Sequence, residues 1–170
     1  MRAQPTSPRS SLRSTVRRGA IVLATSVGLV SAAQPAMAVY WKSASSPLTA
    51  YHESASSGQK QAQAYGNYYN SGATHARNTS SQRDSKPGGD SVYVETKFQF
   101  YYGVSGQAPA WQTTSSKQTT RTTSGSWKSD YTRTALHGSA ERSRGRIHVC
   151  EDQSWAPDDC SAWAYATFTY

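Results

Sequence analysis

The stretch Ser91 to Tyr102, SVYVETKFQFYY, leaves little freedom in how it folds. Val92, Val94, Thr96, Phe98, Phe100 and Tyr102 fall on one side of an extended chain, with Tyr93, Glu95, Lys97, Gln99 and Tyr101 on the other. A period of two, carried by β-branched and aromatic residues, predicts a strand with one core face and one wet face.

Similar signals recur after Ala38, separated by turn chemistry about every dozen residues, the spacing of an antiparallel sandwich or barrel. Candidate strands are Ala110 to Thr123, Ser126 to Leu136, Arg144 to Asp152 and Ser161 to Tyr170, broken at Gly103 to Pro109, Ser124-Gly125 and Gly138. Lys86 to Asp90, KPGGD, reads as a turn, because proline sets φ and the glycines accept positive φ. A hairpin across it makes Ala73 to Ser85 the partner of residues 91–102. Arg83 then faces Tyr93, Arg77 faces Gln99 and His75 faces Tyr101, all on the wet side. Gln59 to Tyr69 fits an edge strand. Residues 39–58 read as a flexible or loosely docked segment, and residues 59–170 as an all-β domain: a small antiparallel β-sandwich, Ig-like or jelly-roll-like.

The core of such a domain has few aliphatic side chains to draw on. After Ala38 these are Leu48, Leu136, Ile147 and five valines, whereas all 11 tyrosines and all five tryptophans lie there. So little Leu, Ile, Val and Phe usually signals disorder, but many rings and a small net charge argue for a fold. An aromatic core is therefore expected, with Trp127, Tyr131, Trp163 and Tyr165 assigned to packing.

Residues 1–38 carry the pattern of a cleaved secretory signal. Arg2, Arg9, Arg13, Arg17 and Arg18 precede the apolar run Gly19 to Val30, and Ala36-Met37-Ala38 is a small-x-small cleavage site. The run is shorter than the ~20 residues of a spanning helix, which predicts removal rather than anchoring. The flanks of Arg17-Arg18 fit a twin-arginine motif poorly and favour the general secretory route. Five of the 18 basic side chains lie in this leader and all 10 acids lie after it, so 13 bases face 10 acids and the net charge falls from +8 to +3. That is an ordinary solubility charge rather than a nucleic-acid footprint. Cys150 and Cys160, the two cysteines of an exported chain, are expected to pair. Their short loop is worth a little under ~3 kcal/mol by chain entropy.

Several constellations could carry chemistry. Arg142, Arg144, Arg146 and His148 share one face of a strand, where guanidiniums could grip phosphate or sulfate; a solvated charged face explains the same letters. Glu151, Asp152, Asp158 and Asp159 offer hard oxygens for Ca²⁺, although the spacing matches no EF-hand and no resident metal or cofactor is expected. His148 with Glu151 and Arg146, or His52 beside Glu53, could supply acid and base to a small nuclease. Tyr93, Tyr101, Trp111 and Trp155 are candidate binding rings, with Arg77 and Arg83 beside the first two.

The runs GGDSVYVETKFQFYY and ERSRGRIHVCEDQSWAPDDCS resemble small exported proteins of actinomycetes, over about Gln63 to Ser161. The resemblance implies secretion and a β fold and transfers no catalytic motif. The sequence thus predicts a monomeric, extracellular, non-catalytic binding module for a cell-wall polysaccharide or a protein, away from membranes and nucleic acid. The alternatives are a secreted nuclease-like hydrolase and an inhibitor or antibacterial protein presenting the Cys150–Cys160 loop.

Overall fold

A computed structural model of the chain describes residues 37–52, 58–87 and 89–170. The leader expected over residues 1–38 lies outside them but for Met37 and Ala38, as does Glu53. Among the described residues ten strands follow in order: β1 (Val39–Lys42), β2 (Leu48–Tyr51), β3 (Lys60–Ser71), β4 (His75–Asp84), β5 (Ser91–Tyr102), β6 (Ala110–Gln118), β7 (Lys128–Ala135), β8 (Arg142–Asp152), β9 (Asp159–Cys160) and β10 (Ala164–Thr169). They form two antiparallel sheets packed as a sandwich. One runs β1-β3-β4-β7 with β2 also against β3; the other runs β10-β8-β5-β6 with β9 also against β8.

The inward half of the β5 pattern behaves as its sequence predicts, whereas Tyr93 and Gln99 on the expected wet face are buried as well. Val92, Val94, Thr96, Phe98 and Phe100 are buried against the opposite sheet. The hairpin expected across KPGGD does not form. β4 pairs with β3 and β7, and β5 with β6 and β8, so this connection carries the chain from one sheet to the other. The tight hairpin lies one strand earlier, between β3 and β4, where Gly72 and Ala73 both take positive φ. Two further corrections concern the N-terminal part. Residues 39–51 are not a loose arm, because β1 and β2 place Trp41, Leu48 and Ala50 in the core. β3 is an interior strand, flanked by β4 on one side and by β1 and β2 on the other.

The two layers meet on Tyr68. This fully buried ring lies 5.2 Å from Phe168 and 6.0 Å from Phe98, and its hydroxyl is 2.6 Å from that of Ser143 in the opposite sheet. Gly145 admits it: a Cβ there would stand 2.9 Å from the Tyr68 ring. Gly66 makes a second close approach, since its Cβ would fall 2.0 Å from the Thr79 carbonyl oxygen.

Beside this aromatic cluster the interior is polar. The inward row of β4 is Ala76, Asn78, Ser80, Gln82 and Asp84, all buried. Trp41 donates to the Asn78 Oδ1 at 2.8 Å, and the Asn78 Nδ2 donates to Ser80 and Thr96 at 2.9 and 2.8 Å. Gln82 donates to the Thr120 carbonyl and accepts from Thr119, each at 2.6 Å. A row of buried amides and hydroxyls is stable only when its groups find partners, and this one nearly closes.

Gly145→Ala should lower the unfolding free energy by about 2 kcal/mol, within the usual range for overpacking. Gly66→Ala should lower it further, because a backbone carbonyl yields less readily than a ring. Urea denaturation of the two variants against wild type checks both the effect and its order.

Candidate functional site

Strand parity puts Arg142, Arg144 and Arg146 on the outward face of the second sheet, as the sequence predicts. The register supplies what surrounds them. In β5, Lys97 lies opposite Arg146 and Gln99 opposite Arg144; in β10, Tyr165 lies opposite Arg146. Trp111 of β6 sits beside Tyr101, and Trp163 stands just before β10.

Each guanidinium rests near an aromatic ring. Arg142 lies 5.0 Å from the Tyr101 centroid and 5.3 Å from Trp111; Arg144 lies 4.4 Å from Trp111 and 5.3 Å from Tyr165; Arg146 lies 4.3 Å from Trp163. Lys97 is 5.0 Å from the same Trp163 ring. Such contacts contribute about 0.5–1 kcal/mol each at exposed sites. They leave the Nη groups of the three arginines without a protein acceptor among the described residues.

No carboxylate pairs with Arg142, Arg144 or Arg146 among the described residues. The Arg144 Nε donates to Gln99 at 2.9 Å, and the Arg146 Nε is buried without a partner. Burial, reinforced by the Arg146 and Arg142 charges, lowers the Arg144 pKa, and the group stays cationic. Like charges directly opposite one another on neighbouring strands, as Lys97 and Arg146 are, oppose folding. The row is therefore poorly compensated from within the protein.

The acids on this face are already engaged. Glu95 accepts from the Ser116 hydroxyl at 2.5 Å and from the His148 Nε2 at 2.6 Å. His148 stacks on Trp163 with centroids 3.5 Å apart. Burial lowers the His148 pKa despite the opposing pull of Glu95. For Glu95, burial acts upward, but the Ser116 and His148 hydrogen bonds outweigh it and hold the carboxyl below its usual range. At neutral pH a neutral imidazole thus donates to a carboxylate beneath a tryptophan.

The structure separates most of the other sequence candidates. His148 and Glu151 lie three apart on one strand and point to opposite faces, so they form no acid–base pair; the carboxylate partner of His148 is Glu95. Glu151 turns inward, and burial together with the charges of Asp90, Asp159 and Asp84 raises its pKa. The four acids considered as Ca²⁺ ligands have partners of their own. Asp152 pairs with Arg121, Asp158 accepts from the Tyr93 hydroxyl, and Asp159 lies 2.6 Å from the His52 Nδ1. The described residues bring together one metal-type group, His148 with Cys150 and Cys160, and its two sulfurs are joined as the expected disulfide.

Tyr93 and Tyr101 do not share a face with Arg77 and Arg83, which lie in the first sheet. Tyr93 is covered by the Arg121 guanidinium, whereas Tyr101 joins the arginine row. Trp155 stands fully exposed in the disulfide-closed loop. Of the rings assigned to packing, Tyr131 and Tyr165 are 45 % and 53 % exposed, and Trp127 and Trp163 are half-buried on outer faces. Comparison with known proteins finds no matching family, no matching curated protein and no matching solved structure.

Because its pKa is depressed on folding, His148 stabilises the fold above the ordinary imidazole value of about 6.5, and this contribution is lost as pH falls through the lowered value. Trp163→Ala should remove part of the burial and move the His148 pKa upward. An NMR titration of the imidazole in both proteins measures the change. Thermal melts should show the wild type losing more stability than the variant between pH 7.5 and 5.5.

Proposed function

We propose that this chain is a secreted, non-catalytic module that binds an acidic extracellular glycan across the outer face of its second sheet. The observation that carries the reading is the row Arg142, Arg144 and Arg146, seated on rings and facing solvent without one carboxylate partner among the described residues. Alternate residues on a strand recur about every 6.7 Å, so the row offers cations at near-regular intervals along a line. Carboxylates or sulfates spaced along a linear polymer supply matching anions, each able to take two parallel hydrogen bonds from a guanidinium.

Chemistry of the rings favours a glycan over single-stranded nucleic acid. Nucleic-acid platforms need open aromatic faces on which bases stack. Here Trp111 and Trp163 have cations close over them, and Trp163 is also stacked on His148. Ring faces are used within the protein, and the guanidinium edges remain for the ligand. The net charge of +3 expected after leader removal supports the same preference.

The test is binding to polygalacturonate and heparin, with cellulose and chitin as neutral comparators and an oligothymidylate as the nucleic-acid comparator. Wild type should bind the two acidic glycans, more weakly as salt rises, and leave the neutral polymers alone. Replacing Arg142, Arg144 and Arg146 by Gln together should weaken acidic-glycan binding about tenfold or more, while far-UV circular dichroism stays unchanged. Equal binding by the triple variant, or a clear preference for the oligothymidylate, would contradict the proposal.

A further inference from the structure

We infer that the outer face of the first sheet is a second site for acidic glycan, so that one molecule bridges two polymer chains. The inference rests on the glycan reading of the second sheet.

The first sheet repeats the chemistry of the second with different residues. Arg77 of β4 lies 3.9 Å from the Tyr131 ring centroid and 6.0 Å from that of Tyr69. Arg83 lies 4.5 Å from Trp127, which meets Tyr65 edge-on at 4.9 Å. Arg83 also donates to the Gln63 Oε1 from Nε and Nη2, at 3.0 and 2.6 Å, which fixes its plane. Arg133 of β7 is exposed and directly opposite Arg77 in register. A cleft of about 340 Å³ at the Arg83 end is lined by Lys60, Gln63, Arg83 and Asp84 among others.

Apart from Asp84 in the cleft, this face carries still less acid than the other. The outward positions of β3, β4 and β7 contain neither Asp nor Glu, and β1 and β2 contain none at any position. Arg77, Arg83 and Arg133 form no ion pair among the described residues, and the Arg77 Nε is buried without a partner, as is the Arg146 Nε across the sandwich. A surface selected for stability or solubility alone would intersperse both signs of charge. Two arginines facing each other across a ladder, with no acid near, instead leave a site that an external anion completes.

Placement sets the consequence. Packed sheets stand about 10 Å apart at the backbone and turn their outer faces in opposite directions. A short oligosaccharide on one face cannot reach the other, so full occupancy requires two ligands. With long polymer, two sites per molecule produce a network through multivalent linkage.

The experiment uses oligogalacturonate too short to wrap the domain for calorimetric stoichiometry, and long polygalacturonate for light scattering. Wild type should bind two oligomers, and its scattering with long polymer should rise and then fall as polymer passes into excess. Arg77→Gln/Arg133→Gln should bind one oligomer at the Arg142–Arg146 row with affinity within about twofold of wild type, and scatter at least tenfold less. Arg77→Lys/Arg133→Lys should restore scattering at least in part. Arg133→Gln alone, at an exposed side chain, should reduce scattering while melting no earlier than wild type. One oligomer per wild-type molecule, or undiminished scattering by the Gln variants, would overturn the bridging inference and leave the second-sheet reading standing. Failure of wild type to bind any acidic glycan would overturn both.

Discussion

A guanidinium laid over an aromatic ring is the contact on which the surface of this protein depends. The chain has many rings and few aliphatic side chains, and its narrow interior takes only some of the rings. Trp41, Tyr68, Phe98, Phe100 and Phe168 fill the core; Tyr65, Tyr69, Tyr101, Trp111, Trp127, Tyr131, Trp163 and Tyr165 stand on or beside the outer faces. Left bare, two such ring-bearing sheets would be sticky. Arginine covers the ring while keeping its donors in water. The consequence is two cationic faces, since each ring that a guanidinium covers adds a positive charge to its sheet.

Charge is divided accordingly. Six of the ten acids, Asp84, Asp90, Glu151, Asp152, Asp158 and Asp159, gather at the end of the sandwich where β4 and β8 finish and β5 begins. Cys150–Cys160 clips that end, with the two cysteines directly paired between β8 and β9. Removal of so much negative charge to one end leaves both faces cationic, although the net charge expected after leader removal is modest. The polar row of β4 belongs to the same economy of aliphatic side chains: where no leucine is available, amides and hydroxyls occupy the interior and satisfy one another.

Some of this was legible in the sequence and some was not, for physical reasons. The β5 alternation and the shared face of Arg142, Arg144 and Arg146 follow from a period of two, which needs no knowledge of the neighbours. β4 was legible as a strand over Ala73 to Ser85, but not its true partners, because its inward row, Ala76, Asn78, Ser80, Gln82 and Asp84, shows no apolar periodicity; its burial depends on groups such as Trp41 and Thr96 far away in sequence. The KPGGD turn misled because a short connection fits a hairpin and a crossing between sheets equally well. Rings on β10 and β6 could not be joined to the arginines without the cross-strand register. The separation of His148 from Glu151, by contrast, was readable from parity, since three residues along a strand turn a side chain to the other face.

The most direct test of the account is a ¹⁵N NMR titration of the arginine Nε–H groups with short oligogalacturonate. Resonances of Arg142, Arg144 and Arg146, and of Arg77, Arg83 and Arg133, should shift and saturate, while amides around Asp84, Glu151 and Asp158 stay in place. Shifts confined to that acidic end, or arginine resonances that never move, would contradict the claim that the outward guanidiniums make these faces the protein's binding surface.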